Sequence, residues 1–281
     1  MDHWNIGDSR VLKRVILTGV FLTLASQAIA SAVAPHRAVY DLNLLRTDNG
    51  ANVESVAGRM AYEVSGSECH GWTVAFRLVN RFNYKEGASR LFDTQSSSWE
   101  TGDGKEMNYS EKEYVDSKPE TEKRLNVARA SRDKAGEVNI TLPAEKNFSI
   151  SADTVFPMRH QLRLMDAAAR GNARDVSLVY DGSDEEKTVK AISFIGKGKK
   201  PGENQDDLNS PEAAPLQSLS SWPVTIGYYA TGADAADTPL YQINFDMYEN
   251  GVSTNLVMDY GSFALSGKLA HLEFLKAEAC K

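Results

Sequence analysis

Apolar and polar residues alternate along most of this chain, with the two-residue period of half-buried β-strands. Ala38, Tyr40, Leu42 and Leu44 share one face of a first strand, and Met60, Tyr62 and Val64 share a face of a second. Trp72, Val74, Phe76 and Leu78 define a third, with Thr73 and Arg77 on the opposite face. Weaker runs near 89–100, 107–115, 123–130 and 137–142 follow the same rule. Turn chemistry joins later runs into hairpins. Runs 176–180 and 188–195 flank Asp181-Gly182-Ser183-Asp184, and runs 240–248 and 252–258 flank Asn250-Gly251, a dipeptide suited to a tight turn with positive φ at both central positions. A last pair, 260–265 and 269–275, is joined through Ser266-Gly267. More than ten strands are therefore expected. The fold class is all-β: a large antiparallel sheet curled on itself as a barrel or an open spiral.

One segment breaks the period. Met158, Leu162 and Met165 follow helical spacing, with Arg159, Arg163 and Arg170 on a different side. Asp153 or Thr154 can cap this helix, Pro157 suits its first turn and Gly171 can end it, which places it near 154–170. It is expected to plug or cover one end of the sheet. The arginines offer an alternative role as an anion or partner site, although Asp166 is placed to pair with Arg163. Residues 197–215 are polar, aperiodic and rich in Pro and Gly, and read as a mobile loop inserted in one domain.

The N-terminus changes the picture of compartment. Arg10, Lys13 and Arg14 precede an apolar run over 15–25, and Ala28-Ile29-Ala30 follows in a cleavage pattern, with alternative sites after Ala32 and Ala34. The run is too short to span a bilayer, which needs roughly 20 apolar residues. A cleaved export signal over 1–30 and a single periplasmic domain over 31–281 are expected, with no transmembrane anchor after processing. Cleavage there shifts the net charge from −7 to −8, because three basic and two acidic residues leave. An acidic chain is poorly suited to nucleic acid or anionic lipid surfaces.

Chemistry-bearing motifs are sparse. His36, His70, His160 and His271 show no metal-ligand spacing, and no nucleophile elbow, phosphate loop or dinucleotide turn is present, so neither catalytic residues nor cofactors are expected. Cys69 beside His70 has the composition of a nucleophile and base, but adjacent strand residues point to opposite faces. The chain has two cysteines, Cys69 and Cys280, and export makes a structural disulfide between them the stronger reading. Aromatic residues on or beside the strand runs, Trp99 and Trp222 among them, suit either sheet packing or a concave groove for an acyl chain or peptide. Arg159, Arg163, Trp99 and Trp222 are the candidate partner or ligand surface.

Several stretches together resemble one family, the periplasmic cell envelope integrity proteins of alphaproteobacteria, grouped as a domain of unknown function. They run from Pro35-His36-Arg37-Ala38-Val39-Tyr40-Asp41-Leu42 through Ser98-Trp99-Glu100, Phe156-Pro157-Met158-Arg159-His160 and Tyr180-Asp181-Gly182-Ser183-Asp184. Ser221-Trp222-Pro223-Val224, Tyr248-Glu249-Asn250-Gly251-Val252-Ser253 and Met258-Asp259-Tyr260-Gly261 complete the set. The resemblance implies a β-spiral closed by a disulfide matching Cys69 and Cys280, a role in envelope integrity without enzymatic activity, and a periplasmic tetratricopeptide-repeat partner. The leading expectation is a non-enzymatic periplasmic protein acting through protein contacts. A carrier of lipid or lipoprotein acyl groups and a peptidoglycan hydrolase are the competing classes.

Overall fold

A computed structural model describes residues 33–183, 187–203, 211–232, 235–278 and 280. The export signal expected over 1–30, Asp184 of the turn and 204–210 of the polar loop lie outside the described residues.

Alternation folds as predicted into one antiparallel sheet. Its first half comprises β1 (His36–Thr47), β2 (Val53–Ser67), β3 (Gly71–Tyr84), β4 (Arg90–Glu100), β5 (Glu106–Val115), β6 (Lys118–Ala128), β7 (Gly136–Leu142) and β8 (Lys146–Ile150). The two-residue β9 (Thr154–Val155) and helix α1 (Pro157–Ala169) follow. The second half is β10 (Arg174–Val179), β11 (Val189–Ile195), β12 (Ser221–Tyr229), β13 (Tyr241–Tyr248), β14 (Ser253–Asp259) and β15 (Phe263–Phe274). Within each half, successive strands are neighbours. The halves join where β15 pairs with β1, from His36 opposite Phe274 to Thr47 opposite Phe263. Among the described residues the one parallel pair is β9 with β10, which α1 connects.

The free edges of this fifteen-stranded sheet are β8 and β9, which three residues separate in sequence. A single turn thus brings the two ends of the sheet together and curls it into a nearly closed barrel. Side chains close the seam. Phe156 and Tyr180, flanking the β9 edge, pack with Met107, Leu125, Val138 and Ile150 of the β8 wing. Arg129, just past β6, lies 4.9 Å over the Phe156 ring and donates to the Thr154 carbonyl at 3.1 Å. An edge covered in this way offers no template for pairing with another chain.

Helix α1 crosses the interior. Its buried Met158, Leu164 and Met165 join Val64 and Trp72 from one half and Ala191, Val224 and Met247 from the other in one apolar cluster. Pro157 opens the helix, and Gly171, with φ +74°, follows its end, as the sequence indicates. The capping assignment differs. The N-cap is Phe156, and its side chain caps nothing; neither Asp153 nor Thr154 occupies that position. Glu100 of β4 supplies the acceptor from across the barrel, with its carboxylate oxygens 3.1 and 3.2 Å from the Met158 N–H.

Two turn expectations also change. At 248–251 the Gly251 N–H donates to the Tyr248 carbonyl, and Gly251 has positive φ while Asn250 does not. This is a three-residue connection ending in a left-handed glycine, the second commonest hairpin form. Ser266-Gly267 is no turn at all: β15 runs straight through it, and the chain reverses at 260–262 instead. The polar segment expected to be a mobile loop over 197–215 is anchored at its described flanks. Lys199 pairs with Ser221, and the 3-10 turn Pro211–Leu216 buries Ala213 and Leu216 in the core. Two small apolar anchors in a polar stretch leave no periodic signal.

Candidate binding cavity

Inward-facing residues of β1, β2, β12, β13 and β14 meet α1 around a cavity of about 270 Å3. Strand alternation delivers Tyr40, Met60, Ile226, Ile243, Phe245 and Leu256 to its wall, and helical spacing delivers Pro157, His160, Gln161 and Leu164. The lining is mostly apolar with a few convergent polar groups, the usual composition of a small-molecule site.

Most of those polar groups are already engaged. The Tyr40 hydroxyl donates to the Ser253 carbonyl at 2.7 Å, and burial pushes its pKa up. Gln161 donates to the Gly251 carbonyl at 3.0 Å, and the His36 ring nitrogen Nδ1 lies 2.7 Å from the Ala34 carbonyl. His160 differs. It is 4% exposed, its Nε2 has no hydrogen-bond partner, and the nearest carboxylate oxygen, on Asp175, is 4.0 Å away. Burial holds the imidazole neutral and moves its pKa down to about 4, against the opposing pull of Asp175. The neutral ring packs into the apolar wall with Nε2 buried.

An aromatic path leads away from the cavity. Tyr228 in its wall stacks on Tyr241 at 4.6 Å between ring centroids. The series continues through Tyr260 at 6.3 Å, Phe263 at 5.1 Å and Phe82 at 5.7 Å to Phe92 at 5.5 Å. Tyr260 and Phe92 are exposed, so the path reaches solvent.

Of the four residues singled out from sequence, Arg159 and Trp99 both border the 68–71 hairpin, and Arg163 lies one helical turn from Arg159. Arg163 binds Asp175 at 2.8 Å, and Asp166, expected to take that role, pairs with Arg170 instead. Arg159 approaches Glu68 at 3.7 Å. Trp99 lies on the outer face of β4 with its indole over Gly71, and Trp222 covers Gly198 from β12. None of the four lines the cavity. Cys69 and Cys280 form a disulfide, so Cys69 is no nucleophile; His70 instead contacts Ser67 at 3.0 Å. Among the described residues no group of three or more His, Cys, Asp or Glu is arranged to hold a metal ion. Sequence reasoning missed His160 and Gln161 as cavity residues. Their spacing on the buried side of α1 was the available signal, but lone polar residues on a buried face usually serve packing.

The arrangement defines a class: a nearly closed antiparallel barrel, plugged by one helix and enclosing an apolar cavity. A model of the EipB-like family matches residues 27–276, and the chain belongs to that family. It is 34% identical over 263 residues to the cell envelope integrity protein EipB of Brucella abortus (strain 2308), covering 92% of this chain and 90% of that protein. It is also similar to the crystal structure of a β-barrel-like protein of a domain of unknown function from Brucella abortus, with a TM-score of 0.78 and 32% identity over 87% of this chain and 99% of that one.

Proposed function

We propose that the protein supports the integrity of the cell envelope from the periplasm by binding rather than catalysis, and that its ligand is an apolar chain such as a lipid or lipoprotein acyl group held in the barrel. The observation that carries this reading is the cavity of about 270 Å3 with its apolar lining and the aromatic path to solvent. Similarity to the Brucella cell envelope integrity protein supports the envelope role. The Cys69–Cys280 disulfide supports an oxidising compartment. Val33 is 2% exposed within the core, so signal cleavage before it, after Ala30 or Ala32, preserves a core contact that cleavage after Ala34 removes. Among the described residues Asp181 is the one carboxylate in the cavity wall, which does not favour the two-carboxylate chemistry of a glycan hydrolase.

Protein contacts form a second reading, favoured by one observation. Val176 and Phe194 are diagonal neighbours on the outer face of β10 and β11, 44% and 55% exposed, and would suit an apolar contact with a partner such as a tetratricopeptide-repeat protein.

Native mass spectrometry of protein purified from its own periplasm tests the cavity directly. Wild-type protein is expected to carry lipid-mass adducts, and Ile226→Phe, which fills the cavity, is expected to lose them at an unchanged melting temperature. Consistently clean wild-type spectra would sink the acyl-carrier reading and leave the protein-contact one.

A further inference from the structure

The outer face of β4–β8 carries a polar array that the cavity does not use. The sheet register aligns Trp99 with Asn108, Asn108 with Asn126, Asn126 with Asn139, and Asn139 with Asn147. One tryptophan and four asparagines thus form a single row across five neighbouring strands. Strand spacing sets adjacent members about 4.8 Å apart. The row faces outward, because its sequence neighbours Met107, Val127 and Val138 are buried on the inner face. Ser97, Ser110 and Arg124 form the adjoining row, and a groove of about 420 Å3 opens between the two.

Three properties of this groove point to a ligand. First, none of the four asparagine side chains makes a hydrogen bond to protein among the described residues. Asparagine is a poor strand former, so four in register do nothing for the sheet that Thr or Val would not do better. Second, Trp99 belongs to none of the three apolar clusters although it is only half-exposed. Its indole rests over Gly71, where an added Cβ would come within 2.9 Å of Nε1, and the side chain also lines the groove. Third, Arg124 is the one charged side chain lining the groove among the described residues, and it already has Glu122 at 3.4 Å. The site is near neutral, which disfavours phosphate-rich or strongly acidic ligands.

An aromatic ring beside a regular series of amides and hydroxyls suits a sugar chain. The C–H face of a pyranose stacks on an indole, while hydroxyl and acetamido groups exchange hydrogen bonds with amides, which both donate and accept. We propose that this groove binds an extended hexosamine glycan strand lying across β4–β6, with one ring stacked on Trp99 and neighbouring sugars bonded by Asn108 and Asn126. Asn139 and Asn147 continue the track for a longer strand. The site is on the opposite face of the sheet from the cavity and does not depend on the acyl-carrier reading.

Isothermal titration of the mature protein with a soluble β-1,4-linked N-acetylglucosamine hexamer tests the assignment, with the corresponding glucose hexamer as the control lacking acetamido groups. Wild-type protein is expected to bind the hexosamine more tightly than the glucose chain. Trp99→Ala is expected to weaken binding at least about tenfold, and the double variant Asn108→Ala/Asn126→Ala several-fold. The asparagine pair makes no internal hydrogen bond, so its melting temperature should not move, and the test survives if Trp99→Ala fails to fold. Wild-type protein that binds neither hexamer at millimolar concentration overturns the proposal. So does hexosamine binding that the double asparagine variant leaves unchanged.

Discussion

The two halves of the barrel use the same alternation to opposite ends. In the far wing of the first half, β5–β8, large residues fill the interior: Met107, Leu125, Val127, Val138 and Ile140 are each at most 3% exposed, with Phe156 and Tyr180 sealing them. Around the second half and the adjoining β1 and β2 the inward residues are also largely apolar, yet α1 lies across them and a cavity remains. The difference lies in what interrupts the meander. β5–β8 lie beyond the helix, so their inward side chains meet one another directly. β9–β15 must accommodate a helix, whose cylinder cannot match the pleat of the strands at every position. Room for a ligand is thus a consequence of topology more than of composition.

If the halves are distinct packing units held together at β1–β15, cutting the covalent tie across that junction should have the largest effect. Cys69 lies in the β2–β3 hairpin and Cys280 beyond β15, so the disulfide bridges over β1, which lies between β2 and β15. The chain-entropy model gives roughly 5 kcal/mol for closing a ring of this length, an upper value because unfolded chains retain structure. Cys69→Ala and Cys280→Ala should lower the denaturation midpoint equally, and the double variant should add little. Additive losses would show that the two residues do not act as one bond.

A smaller effect distinguishes the two units by pH. Glu100, reaching from the first half to α1, is 2% exposed, and burial pushes its pKa from 4.5 up to about 7 despite the opposing Met158 and Arg159 N–H groups. The folded state then holds a proton that the unfolded state releases, so this contribution is fully present below pH 4.5 and is lost as pH rises through about 7. His160 in the cavity wall has the opposite sign. Burial takes its pKa from 6.5 down to about 4, with Asp175 and Arg163 pulling in opposite directions, so stability is present above pH 6.5 and lost as pH falls through about 4. Each shift corresponds to about 3 kcal/mol at most, and between these limits the two slopes oppose each other. Glu100→Gln should unmask stability that rises with pH, and His160→Leu stability that falls. Urea midpoints at pH 4, 5.5 and 7.5 measure both, and parallel profiles for the two variants would refute the assignment.

The strands were legible in the sequence because each carries its own period, and the helix because its period differs. What required partners distant in sequence was not. The cap on α1 comes from Glu100, 58 positions before the Met158 N–H that it accepts. The cavity wall draws on six separate strands and segments besides the helix, and no local pattern announces a gap between them. Trp99 and Trp222 read alike in sequence, but the register gives Trp99 a row of asparagines and gives Trp222 the Gly198 backbone. Asn250-Gly251 marked the place of a turn correctly and its form incorrectly, since the same dipeptide serves both two- and three-residue loops.

Gly267 offers the finest test of the junction, because glycine in a strand run has two meanings: a turn, or a close approach. The sequence suggested the first and the structure has the second. Gly267 lies opposite Leu42 of β1 on one side and Leu256 of β14 on the other, and an added Cβ would sit 3.0 Å from the Leu42 Cδ2 and 3.1 Å from the Leu256 Cβ. Leu42 is 1% exposed and has nowhere to retreat. At a loose or turn-like site with ordinary backbone angles, Gly→Ala stabilises by about 0.4–1 kcal/mol through the unfolded chain. Here the overlap should outweigh that gain, and Gly267→Ala should destabilise by about 1 kcal/mol, with Gly267→Val costing more. Denaturant midpoints for the pair decide it. A more stable alanine variant would mean that the leucines of the two halves do not close over this glycine, and that the halves meet through backbone pairing and the disulfide alone.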